Sequence, residues 1–207
     1  MSLILALLTC MTLIVVGLIR SRNRKPHVEE VIVPRYFHNG HSWARETEDG
    51  DVIVGIDDFA QSVIGSVDEI TLPRLLRRVK QGKETWTIIH GRRALTVISP
   101  VSGRIVEKNE MVMRNPSLLN TAPYGDGWLL RVKTRSFALQ RKNLLTGKIA
   151  HEWLDTAQAR LHSFFQTTPA LMYQDGGVVL KNISDRCSDD EWQRLVATFF
   201  QTKEPHS

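Results

Sequence analysis

Apolar residues recur along this chain in three different rhythms. The first is continuous: SLILALLTCMTLIVVGLI, residues 2–19, carries no charge. As a helix it would rise about 27 Å, close to the hydrocarbon thickness of a bilayer. No polar face interrupts it, so residues 1–19 are expected to form a transmembrane helix rather than a buried core helix. The second rhythm is short. Between Asp51 and Val132 the runs DVIVGI, WTIIHG, ALTVIS, GRIVEKN and GWLLRVK are rich in Val, Ile, Leu and Trp and are bounded by Gly, Pro, Asp or Asn. They read as β-strands, and many short strands at regular spacing predict a sandwich or small barrel. DDFAQSVIG interrupts them with Phe59, Val63 and Ile64 at helical spacing, Asp57 placed to cap and Gly65 placed to stop.

The third rhythm starts at Leu144. Ile149, Trp153, Ala157, Leu161 and Phe164 or Phe165 recur every three or four residues behind Thr146, the pattern of a capped amphipathic helix. Asp175 and Gly176 between two apolar runs predict a hairpin, and SDDEW, residues 188–192, is a capping box opening a last helix. The fold class is thus mainly β with α additions. Its segments are a transmembrane helix (1–19), a basic juxtamembrane linker with prolines at 26 and 34 (20–35), a β domain (36–143) and a C-terminal helix–hairpin–helix extension (144–207). The extension is too small for a large core of its own, so it is expected to pack on the β domain.

Composition narrows the function classes. Of 207 residues 42% are hydrophobic and 24% charged, which is the make-up of a folded chain. Twenty-seven Lys and Arg against 22 Asp and Glu leave +5, and four of the positive charges (Arg20, Arg22, Arg24, Lys25) follow the apolar run directly. They speak for membrane orientation rather than for nucleic acid. The positive-inside rule puts the N-terminus outside and the C-terminal domain in the cytoplasm, a single-pass protein of the cell inner membrane. No basic residue precedes Ser2, as a cleaved signal would require. Cys10 and Cys187 lie far apart and His38, His41 and His90 have no convergent ligand partners, so neither a disulfide nor a metal site is expected. There is no GxSxG, HExxH or phosphate-cradling glycine loop, and Asp57 and Asp58 are explained by helix capping. An enzyme is not expected.

The motifs in order, GHSWARETEDGDVIVGIDDFAQSVIGSVDEITLP (40–73), PVSGRIVEKNEMVMRNPSLLNTAPYGDGWLLRVK (100–133) and LLTG, resemble the H protein of the glycine cleavage system, a carrier that presents a lipoyl group on a swinging lysine. The resemblance covers roughly residues 40–150. It implies a lipoyl-type domain, two antiparallel sheets wrapped as a flattened barrel. It also implies that the carrier lysine sits at a hairpin tip eight residues before the proline of PVSG, which here is Arg92. The family's glutamate three residues ahead of that lysine is Ile89. A guanidinium stays protonated and is a poor nucleophile, so it does not accept an acyl group as a lysine amine does. The covalent carrier role is therefore expected to be lost, with no cofactor bound.

What remains is contact. Arg92 and Arg93 at the turn, and Arg74, Arg77, Arg78, Lys80 and Lys83 in residues 72–83, form the candidate interaction patch. The expected function is a non-catalytic, single-span accessory subunit of a membrane complex, with energy-transducing redox complexes as the natural class and other subunits as partners. The alternatives are a lipoyl or acyl carrier, or modulator, related to glycine cleavage, and a membrane-surface adaptor whose basic segments bind anionic lipid.

Overall fold

The computed structural model describes residues 34–166 and 182–200. The expected transmembrane helix, all but the last two residues of the linker, and the hairpin at Asp175 and Gly176 lie outside them. Among the described residues no helix is long and apolar enough to cross a membrane.

Short strands dominate: β1 (Tyr36–His38), β2 (Ser42–Glu46), β3 (Val52–Ile56), β4 (Glu69–Thr71), β5 (Arg78–Val79), β6 (Glu84–His90), β7 (Arg93–Ile98), β8 (Gly103–Lys108) and β9 (Leu130–Lys133). They pair antiparallel in a six-stranded sheet of order β1-β2-β3-β9-β8-β5 and a three-stranded sheet of order β4-β6-β7. Val54, Ile56, Ile105 and Val132 of the first sheet share one core with Trp86, Ile88, Leu95 and Val97 of the second. The five runs read as strands each contribute one, and the expected pair of antiparallel sheets is present. β3 is buried at every position, and its Gly55 has a steric reason. It faces Trp43 of β2, and a Cβ there would stand 2.8 Å from the indole.

Helix α1 (Asp58–Ile64) is capped as the sequence indicates. The Asp57 carboxylate accepts from the Ala60 N–H at 2.9 Å, and Gly65, at φ +74, donates its N–H to the Gln61 carbonyl. Between β8 and β9 lie two helices of about one turn, α2 (Glu110–Arg114) and α3 (Leu118–Thr121), and α4 (Phe137–Gln140) follows β9.

The C-terminal helices are α5 (Gly147–Gln166) and α6 (Asp189–Phe199). Ala157, Leu161 and Phe165 of α5, and Trp192, Leu195 and Phe199 of α6, enter the same core as the sheets. The stripe on α5 differs from the sequence expectation at its start. Ile149 is 64% exposed and Ala150 is buried, because the line through Ala150, Ala157, Leu161 and Phe165 leaves Ile149 about 100° away around the helix. The Thr146 hydroxyl donates to the Arg35 carbonyl at 2.9 Å, tying the helix start to the residue just ahead of β1. The capping box of α6 forms as expected between Ser188 and Glu191.

Candidate functional site: the β6–β7 turn and its clamp

Cross-strand pairing runs Ile88 with Leu95, Ile89 with Ala94 and His90 with Arg93, which leaves Gly91 and Arg92 as a two-residue loop. Gly91 has φ +54 and Arg92 does not share the positive sign, the φ pattern of a type II′ hairpin turn. The Gly91 N–H donates to Asp68 Oδ2 at 2.7 Å, which holds the turn against the chain ahead of β4. Arg92 projects into solvent with its side chain 89% exposed, and its Nη2 lies 3.7 Å from Asp189 Oδ2.

Its neighbour is engaged. The Arg93 side chain is 16% exposed, and Nη1 donates to Asp189 Oδ1 at 2.5 Å. Nη2 donates to the Cys187 carbonyl, and the guanidinium carbon stands 5.9 Å from the centroid of Trp192. On the other side of the turn His90 Nε2 is 2.7 Å from Asp185 Oδ1, and Nδ1 is 3.3 Å from Asp68 Oδ2. Asp185, Cys187, Asp189 and Trp192 thus form a clamp on the hairpin. Asp189 occupies the first turn of α6, where the helix dipole favours a carboxylate. Burial, and then the Glu191 charge, push the Cys187 thiol up to about 11, with Arg93 opposing, so it is not a reactive thiolate. Glu191 is held below the ordinary carboxylate range by the Ser188 N–H and hydroxyl.

The other predicted basic residues lie elsewhere. Arg74, Arg77, Arg78, Lys80 and Lys83 are all exposed, and Lys80 and Lys83 close a turn through Lys83 N–H to Lys80 carbonyl. β5 is an edge strand of the large sheet. Arg78 thus belongs to the six-stranded sheet, whereas Arg92 and Arg93 stand at the β6–β7 turn of the three-stranded sheet. Sequence reasoning missed Arg104 and Lys133. Arg78 is the cross-strand partner of Arg104, and Arg104 of Lys133. Alternation in β8 and β9 carried that signal, but only the register aligns the three.

A second constellation is internal. His41, at φ +60, is buried with Nδ1 2.9 Å from Asp57 Oδ2. Its ring stacks between Phe59 and Trp153, at 4.0 and 4.7 Å between centroids. It borders a cavity of about 210 Å³ shared with Asn39, Thr156 and Arg160. These contacts give His41 a packing role that joins β2, α1 and α5. Among the described residues no group of three His, Cys, Asp or Glu converges as for a metal ion.

This two-sheet fold with a presented hairpin is of the lipoyl type, and residues 35–157 match the family model of the glycine cleavage H-protein. A probable glycine cleavage system H protein of Pyrococcus abyssi is 33% identical over 119 residues, 58% of this chain and 88% of that protein. The glycine cleavage system H protein of Marinobacter nauticus is 41% identical over 93 residues, 45% of this chain and 72% of that one. Among solved structures, a glycine cleavage system H protein from Mycobacterium marinum is 28% identical, covers 59% of this chain and 94% of its own, and has a TM-score of 0.49. The chain belongs to the glycine cleavage H-protein family. That family consists of non-catalytic lipoyl carriers, so the chain is not an enzyme. The clamp residues, 185–192, lie beyond the matched stretch.

Proposed function

We propose that this chain is a member of the H-protein family that has given up the carrier role and acts as a docking module, a single-span accessory subunit of a membrane complex. The observation that carries the reading is the turn itself. Its tip residue is Arg92, and no lysine occurs between residues 84 and 107, so neither strand nor turn offers the ε-amine that a lipoyl amide requires. The residues present do not fit a covalently attached lipoyl group. The clamp supports the same reading, because a hairpin pinned by Arg93 and His90 to the C-terminal extension is built for fixed contact.

The membrane tether is read from residues 2–19 and the basic run that follows. Intact-mass measurement tests the loss of the carrier role, and sizing of the native particle in mild detergent tests the assembly. A chain that migrates alone would count against the subunit reading. The competing reading, a lipoyl carrier, draws on the family itself and requires acylation of a lysine away from the turn, such as Lys80 or Lys83.

A further inference from the structure

We infer that the β5 edge of the large sheet is a surface that docks on an anionic lipid bilayer, with Leu75 and Leu76 entering the headgroup region and Arg78, Arg104 and Lys133 facing the lipid charge. Three observations meet there. Arg78, Arg104 and Lys133 are cross-strand partners in sequence across β5, β8 and β9, and all are exposed. Like charges placed opposite one another repel, and among the described residues none of the three has an acidic partner. Arg74, Arg77 and Lys80 extend the positive field on the same chain segment.

Within that field stand two bare leucines, Leu75 at 51% and Leu76 at 61% exposure. Leu76 also has φ +66, a left-handed conformation that strains a bulky side chain and that glycine would adopt freely. Its N–H is bonded to the Ile105 carbonyl at 2.9 Å, and the Ile105 N–H to the Arg77 carbonyl at 3.0 Å, so the loop is fixed in this pose. Charges on an edge strand are explained by the need to block edge-to-edge pairing. An exposed, strained leucine is not: it adds apolar surface where edge protection calls for polarity.

The combination selects the partner. Nucleic acid would satisfy the charges but offers no apolar phase for the leucines, and no aromatic residue stands in residues 72–83 to stack on a base. A bilayer bearing anionic headgroups satisfies both, in the way basic, leucine-bearing surfaces do at membrane interfaces. The inference builds on the reading of the chain as a membrane-associated docking module, but mass and particle size report on that reading while amide exchange reports on this edge alone.

The experiment is hydrogen exchange of the full chain with vesicles of phosphatidylcholine alone or with roughly a third phosphatidylglycerol. Any tether from residues 2–19, and any pull of the basic run at residues 20–25 on anionic lipid, is common to the native chain and its edge variants, so the comparison between them isolates the edge. Exchange over residues 74–80 is expected to slow about tenfold with the anionic vesicles only, while the turn at residues 47–51 is unchanged. In L75S/L76G the slowing is expected to vanish with no fall in the thermal midpoint, since glycine relieves the strain. If that variant is unfolded, R78Q/R104Q replaces it with the same expected loss. Equal exchange with both vesicles overturns the inference, as does slowing that survives removal of the leucines.

Discussion

Arg93 on β7 and Asp189 at the start of α6 are 96 residues apart in sequence and 2.5 Å apart between Nη1 and Oδ1. The pair fastens the hairpin turn to the extension. Its partners are unequal, since Arg93 is largely covered and Asp189 is 68% exposed. Asp189→Ala should therefore cost about 1 kcal/mol. Arg93→Ala should cost about 2 kcal/mol, because it also strands the Cys187 carbonyl and strips the face of Trp192. Denaturant titration of both variants and the double mutant checks this, and an Arg93→Ala loss within about 0.5 kcal/mol would remove the clamp from the account.

Asp57 serves two structures at once, capping α1 through Ala60 and holding His41. Asp57→Ala should lose about 3 kcal/mol, the sum of a lost cap and an unpaired buried imidazole. Asp57→Asn keeps a carbonyl oxygen for the Ala60 N–H and should lose roughly half as much. Equal losses in the two variants would mean that the cap contributes nothing.

One substitution at two glycines should act for different reasons. Gly55→Ala drives a methyl into Trp43 and should cost about 1–3 kcal/mol with a change in tryptophan fluorescence. Gly91→Ala meets open space but φ +54, so it should cost about 1 kcal/mol with no fluorescence change.

Acidification should weaken the fold through His38. Burial, and then the neighbouring His41, lower its pKa below 6.5, and its unprotonated Nδ1 accepts the Gly40 N–H at 3.0 Å. The unfolded chain therefore binds the proton more readily than the folded one. Stability is fully retained above pH 6.5 and declines as pH falls from there through the folded-state value. His38→Gln should flatten this slope in thermal melts across that window. Glu191, also depressed, adds a further loss only below its unfolded value of 4.5.

Much of the fold was legible because local rules agreed with the global arrangement. The Val- and Ile-rich runs became strands, Asp57 and Gly65 bounded α1, and Ser188 and Glu191 opened α6. Misses occurred where segments are too short for periodicity, as in β5 and α2, or where packing set the phase, as at Ile149. The turn at Arg92 was readable through the resemblance to the H protein, which implies a hairpin tip eight residues before Pro100. Its clamp was not, since nothing near residue 90 marks Asp185, Cys187 or Asp189 as neighbours. The only hint was the excess of acid opening α6, complementary to two arginines. The basic ladder likewise depends on register, which turns and strand pairing fix at long range.

The claim that matters most is that this chain carries no lipoyl group. The direct measurement is the intact mass of the full chain recovered from lipoate-supplied cells, beside an H protein from the family treated identically. The account predicts the unmodified mass for this chain and a lipoyl increment for the control. A lipoyl increment on this chain, on any lysine, would contradict it.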